Sequence, residues 1–209
     1  MSQSIAVVHL RALEPQDAQL LYAWENDPTT WYAGDRRWPI SLSDIECFIQ
    51  NSEHDPWHTK QVRFMIEVNH MSADAPLADL CNVPMLAMVE SHSQSSEPKH
   101  RLMEDTTVGC VDIFDFDPMN MHCSLGILIG NEFRRQGYAK AALEAVERFA
   151  FHTLMVQNIK VEVAEDNVPS LNLFQSLGYA HVGTIAKWLR RGPDTFVGQV
   201  CLVKSIGGI

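Results

Sequence analysis

Cysteine is sparse and unpatterned in this 209-residue chain. Its five cysteines, Cys47, Cys81, Cys110, Cys123 and Cys201, are odd in number and contain no C-x-x-C pair, so neither a disulfide framework nor a zinc knuckle is indicated. They read as reduced thiols, mostly in the core. Basic charge is scarce as well: 16 Lys and Arg face 26 Asp and Glu, a formal net charge of -10. Binding to a phosphate backbone needs the opposite balance, so nucleic acid is not expected as a partner. A cationic substrate or plain solubility fits the excess of acid. No run approaches the ~18 apolar residues of a membrane span. Residues 1–8 lack the basic region and long apolar stretch of a secretory signal. The expectation is a cytoplasmic protein with no membrane partner. Metal-ligand spacing is missing too. His54, His58, His92 and His100 lie in polar stretches without H-E-x-x-H or a Cys partner and read as solvated, so no metal is expected.

What is present is apolar content of 46%, enough for one sizeable core, and at ~100 to 200 residues per domain residues 1–209 read as a single domain. Residues 5–11 form a β-branched run, and helical spacing follows from Pro15 to Asn26 until Asp27-Pro28 stops it. The aromatic stretch up to Pro39 reads as a loop. Ser43-Asp44-Ile45-Glu46 reads as a capping box opening a second helix. Strands are expected over 61–68 and 106–116. Between them, residues 69–104 are rich in Ser, His, Pro and Asp, and only Met85 to Val89 resembles structure. A connection this long reads as a surface insertion, disordered in part.

From His122 to Ile129 a strand leads into Gly130, and from Tyr138 onward Ala142, Leu143, Val146 and Phe149 recur at helical spacing. Residues 158–164 alternate as a strand, a short helix ends at Gly178, and two last strands flank a Gly192-Pro193-Asp194 turn. The order describes an α/β (α+β) fold with a mixed central sheet and helices on both faces.

One junction carries chemistry. Arg134-Arg135-Gln136-Gly137-Tyr138-Ala139 sits where a strand ends and a long helix begins, so successive backbone N–H groups and the helix dipole converge on one point and favour an anion. Gly137 lets the backbone approach a pyrophosphate, Ala139 permits close packing of the helix on the sheet, and two arginines add charge. Neither the G-x-x-x-x-G-K-[ST] loop nor the G-x-G-x-x-G fingerprint is present.

The R-x-x-G-x-A sequence resembles the pyrophosphate loop of the GNAT superfamily of N-acetyltransferases. Leu10 to Asp17 with Trp24 to Asp27 is similar to the opening of the branch with bacterial spermidine/spermine and ribosomal-protein alanine N-acetyltransferases. Val108 to Asp112 resembles the family's third strand, and Ala164 to Ser170 with Phe174 to Tyr179 resembles its second signature, N-x-x-[SA] followed by L-G-[FY]. The resemblance implies the GNAT fold and acetyl-CoA as cosubstrate. It implies cofactor contacts at Ile127, Leu128, Ile129, Arg134, Arg135, Gln136, Gly137, Tyr138, Ala139, Asn167 and Phe174. The backbone of Ile127 to Ile129 would face the thioester carbonyl, and Asn167 would bond the pantetheine arm or simply cap its helix.

The remaining roles depart from the family's pattern. Many relatives carry a glutamate two residues before a glycine on the fourth strand, where this chain has Ser124. Glu162 matches the glutamate that some peptide acetyltransferases carry five residues before the signature Asn. Asp112, Asp115 or an ordered water also qualify as base. Polyamine acetyltransferases use a tyrosine where this chain has Phe174, which cannot donate a proton. Ser170 matches the serine that the ribosomal-protein branch offers to the thiolate, and a polar residue in a first helical turn is its plainer role. Among Trp24, Glu25, Trp31, Tyr32 and Trp38, Glu25 and Trp31 are the substrate-side candidates, through ionic and cation-π contact. Three readings follow: acetylation of a polyamine or similar small amine, acetylation of a protein N-terminus, or a coenzyme A binding module without catalysis. A homo-oligomer is compatible with each.

Overall fold

The computed structural model describes residues 4–31, 38–52, 55–72, 86–90 and 105–207. Eight strands are hydrogen-bonded in the order β3, β1, β2, β4, β5, β6, β8, β7. The sheet is mixed. β5 (His122–Ile129) and β6 (Asn158–Ala164) run parallel, whereas β1 (Ser4–Ala12) pairs antiparallel with both β2 (Val62–Ser72) and β3 (Leu86–Glu90). β4 spans Thr106–Asp117, β7 Ala180–Arg190 and β8 Phe196–Ser205. The helices are α1 (Ala18–Glu25), α2 (Pro28–Trp31), α3 (Leu42–Gln50), α4 (Pro56–Thr59), α5 (Tyr138–His152) and α6 (Val168–Ser176).

The chain divides into two compact units. The first combines 1–12, 63–112 and 126–155. Its core packs the inward residues of three strands, among them Val8, Ile66, Val68, Val108 and Val111, and the buried stripe of α5 that includes Ala142, Leu143 and Val146. Phe149 of α5 meets Phe64 of β2 edge-on, with ring centroids 5.4 Å apart. The spacing of that stripe is what the sequence showed from Tyr138 onward. The second unit combines 13–62, 113–125 and 156–209. Ile113, Phe116, Ile159, Val161 and Leu202 are buried in it, and Trp57 packs edge-on against Phe116 at 5.0 Å.

Several sequence expectations change. The second helix begins two residues earlier than the Ser43 capping box implied. Ser41 is its N-cap, and the Ser41 hydroxyl accepts the Asp44 N–H at 3.0 Å. Two serines stood at capping distance from an acidic residue, and the buried positions Ile45 and Ile49 select the earlier one. The stretch after Asp27 holds the short helix α2. Within 69–104, β2 runs on to Ser72, and 86–90, one residue on from the Met85 to Val89 run, form the edge strand β3, paired with β1 from Ile5 to His9. With that strand counted, the stretches that resemble the family's third and fourth strands lie in β4 and β5. The rest of the stretch, with His92 and His100, lies outside the described residues, as do Tyr32 and His54.

β4 presses closely on the end of β5. A Cβ on Gly109 would stand 2.2 Å from the Leu128 carbonyl oxygen and 2.9 Å from Ile129 Cδ1. Backbone cannot yield as a side-chain tip can, so overpacking here exceeds a rotamer change. Gly109→Ala should destabilise the protein by about 3 kcal/mol or more. A thermal melt reads this, and an unshifted midpoint would contradict the close approach.

Candidate functional site

In the first unit, the end of β5 is fixed before the helix begins. The Gly130 N–H donates to the Val108 carbonyl at 2.9 Å, and a 3-10 turn over Asn131–Phe133 carries the chain away. Arg134 then folds back, its Nε donating to the Ile129 carbonyl at 3.0 Å. Ile127, Leu128 and Ile129 are half-buried. Arg135 and Gly137 both have left-handed backbones, with φ of 64° and 85°. Left-handed residues alternating with ordinary ones turn successive N–H groups to one side and form an anion-binding concavity. Gly137 is the N-cap of the 15-residue α5 and has no side chain with which to bond the first-turn N–H groups. The Tyr138 hydroxyl donates to Gln136 Oε1 at 3.0 Å, and burial pushes its phenol pKa up, so the ring stays neutral. This junction fits a pyrophosphate on three counts: it leaves donors at a helix N-terminus, lacks a Cβ at the turn, and carries two arginines. Ala139, in the first turn, is half-buried.

The second unit holds the other signature. Asn167 is the N-cap of α6, and its Oδ1 accepts the Ser170 N–H at 3.3 Å. The capping role weighed from sequence is therefore real, and it uses only the oxygen. Among the described residues, the Asn167 amide nitrogen and the Ser170 hydroxyl have no hydrogen-bond partner, which leaves donors of both residues unspent. Phe174 is 4% exposed and packs edge-on against Tyr179 at 5.2 Å.

The loop before α6 is anchored by contacts of Glu165 and Asp166 that the sequence pattern does not reveal. Glu165 Oε2 accepts the Gly198 N–H at 3.0 Å, and the Gly198 carbonyl accepts the Glu165 N–H at 2.9 Å. A Cβ on Gly198 would lie 2.6 Å from that Glu165 oxygen. Asp166 takes both ends of the Arg191 guanidinium at 2.7 Å. Bidentate geometry of this kind fixes orientation as well as distance. In sequence these four residues lie 25 to 33 positions apart in pairs and form no motif.

The carboxylates considered for a base differ in surroundings. Glu162 is exposed on β6, with Lys160 Nζ at 3.3 Å from one oxygen and Gln199 Nε2 at 3.2 Å from the other. Cys201 stands opposite it on β8, and burial first, then the Glu162 charge, raises the thiol pKa. Asp112 is held by Arg63 through Nε at 2.6 Å and Nη2 at 3.0 Å. Asp115 accepts the Ser124 hydroxyl at 3.3 Å.

Glu25 and Trp31 are joined, the Trp31 indole N–H donating to the Glu25 carbonyl at 2.9 Å. Both are half-buried. His58 lies in α4, where Asp55 caps the helix. A different imidazole has ligand-like neighbours: single atoms of His9, Glu67 and Asp105 lie within 4.8 Å of one another. His9 Nε2 is 2.8 Å from Glu67 Oε2, and the Arg11 guanidinium bonds the other oxygen of Glu67. That cation already balances the carboxylate.

The chain belongs to the family defined by the acetyltransferase (GNAT) domain, whose model matches residues 8–180. The fold is shared with solved structures at low identity. One is the spermidine N-acetyltransferase of Vibrio cholerae in complex with CoA and spermine, at TM-score 0.71 and 16% identity over 95% of both chains. Another is a chimera of that enzyme, SpeG, with hSSAT, at TM-score 0.70 and 15% identity over 96% of both chains. The SPbeta prophage-derived uncharacterized N-acetyltransferase YokL of Bacillus subtilis (strain 168) is 30% identical over 84 residues, 40% of this chain. That match spans about half of the relative's length, 48%.

Gly137→Asp should weaken acetyl-CoA binding by about two orders of magnitude, on the order of 2.8 kcal/mol. The substitution forces a left-handed non-glycine residue and sets a carboxylate beside the anion. Calorimetric titration of the folded variant checks this, and an unchanged Kd would remove the loop from the coenzyme site.

Proposed function

We propose that this protein transfers the acetyl group of acetyl-CoA to a primary amine, that of a polyamine or similar small amine. The observation that carries the donor half is the left-handed Gly137 at the head of α5, flanked by Arg134 and Arg135. The acidic balance of the chain supports a cationic acceptor, and the spermine complex of a protein with the same fold makes polyamines the first class to try. A cytoplasmic setting goes with this reading, since scattered, unpaired cysteines suit a reducing compartment. Among the described residues no helix is long and apolar enough to cross a membrane. Assembly into a homo-oligomer is part of the proposal, by analogy with the dodecameric spermidine N-acetyltransferase of the same fold.

In this reading the amine nitrogen attacks the thioester carbon while backbone N–H groups of Ile127 to Ile129 receive the developing oxyanion. Asn167 bonds the pantetheine arm through its unspent amide. The Ser170 hydroxyl hands a proton to the departing thiolate. Glu162 is one carboxylate for the proton of the amine, and Glu25 and Trp31 contact the acceptor. Acetylation of a protein N-terminus is the second reading, favoured by Ser170 and Glu162 standing in the peptide-type positions.

Thiol release from acetyl-CoA should appear with polyamines in a panel that includes amino acids, aminoglycosides and N-terminal peptides. Release with peptides alone selects the second reading, and tight acetyl-CoA binding with no release from any amine defeats both. Ser170→Ala should lower kcat by about tenfold or more with acetyl-CoA affinity kept. Equal turnover would return Ser170 to a purely structural place.

A further inference from the structure

The carboxylates available to the acceptor amine are not equivalent. Asp112 is neutralised by the two-pronged Arg63 contact, and both oxygens of Glu162 are engaged by Lys160 and Gln199. Among the described residues Asp115 forms no ion pair with a cation, and its carboxylate has one hydrogen-bond partner, the Ser124 hydroxyl, which donates to Oδ2 at 3.3 Å. Ser124 is itself only 2% exposed. A buried hydroxyl without a partner would be costly, so this pairing is built into the strands rather than a chance surface contact.

The backbone is shaped to present Asp115. Along β4, Ile113 and Phe116 are buried, yet Phe114 and Asp115 between them are both exposed, so the alternation of a strand is broken. Asp115 has φ of 50° inside β4, two residues before the strand's last residue, Asp117. A left-handed residue inside a strand is the device by which a bulge re-aims a side chain, and such devices collect beside functional sites. Ser124 lies on β5 three residues ahead of Ile127, the first of the residues assigned to the thioester carbonyl.

We propose that Asp115, steadied by Ser124, is the group on which the acceptor's ammonium docks and to which it gives its proton. This rests on the amine-acetylating reading above. R–NH3+ transfers one proton to the Asp115 carboxylate, and the freed lone pair forms the C–N bond to the thioester carbon. Collapse of the tetrahedral adduct breaks the C–S bond, and the second proton lost by nitrogen ends on the CoA sulfur. The exposed Asp115 returns its proton to water, so the sum is one acetamide, one thiol and one released proton.

Asp115→Asn keeps the size of the side chain, and Asn tolerates φ above zero, so the variant should fold. With spermidine and with an alanyl N-terminal peptide as acceptors, kcat/KM for the acceptor should fall about 100-fold near neutral pH. Acetyl-CoA affinity should stay unchanged. The deficit should narrow toward about pH 10, where the amine loses its proton unaided. Asp115→Gly should be equally impaired while melting close to the wild type, because the relief of the left-handed backbone offsets the loss of the Ser124 hydroxyl's partner. A merely structural aspartate would not combine those two results. Wild-type kcat/KM in Asp115→Asn overturns the proposal, whether or not Glu162→Gln is impaired. A wild type that binds acetyl-CoA but acetylates neither acceptor overturns the amine-acetylating reading and this inference with it.

Discussion

The start of a long helix leaves backbone N–H groups that the helix itself cannot satisfy, and α5 begins without a capping side chain. Everything around that start is arranged to keep the N–H groups where β5 delivers them. Gly109 lets β4 come close enough to hold the last residues of β5, and the Gly130 N–H bond to Val108 fixes where the strand ends. Arg134 ties the turn back to Ile129, and Gly137 accepts the left-handed conformation that aims the helix. The core stripe of α5 then holds the helix against the inward faces of the strands. An anion supplied by a ligand is the natural complement of this arrangement.

Donor and acceptor halves differ in how much of them was legible in the sequence. The loop and α5 were readable because a strand's period of two passes to a helix's period near 3.6 across one glycine, and both periods are local. β5, β6 and α6 were legible for the same reason. The edge strand β3 was only hinted at by Met85 to Val89, since a strand held by β1 from far away in the chain needs no strong local signal. Ser41 and Ser43 were locally indistinguishable as caps until the buried face of α3 was known.

The clamp of Glu165 on Gly198 and of Asp166 on Arg191 was invisible for a different reason. Each contact joins residues brought together by β6, β8 and the β7–β8 turn, and no spacing rule encodes it. The clamp fixes the loop that leads into Asn167 and Ser170, the residues to which the proposed function gives the pantetheine arm and the thiolate. The carboxylates show the same limit. Sequence placed Glu162 first, with Asp112 and Asp115 as alternatives, while their partners separate them: Glu162 and Asp112 are committed to other side chains, and Asp115 is presented by a break in strand alternation. A left-handed aspartate inside a strand leaves no mark in a hydrophobicity pattern other than one misplaced polar residue.

A crystal structure of the protein with CoA would show whether the head of α5 holds the pyrophosphate of the coenzyme. The pyrophosphate oxygens should lie within hydrogen-bonding distance, about 2.7 to 3.2 Å, of the backbone N–H groups between Arg135 and Ala139. A coenzyme bound elsewhere, with those N–H groups facing only water, would contradict that placement.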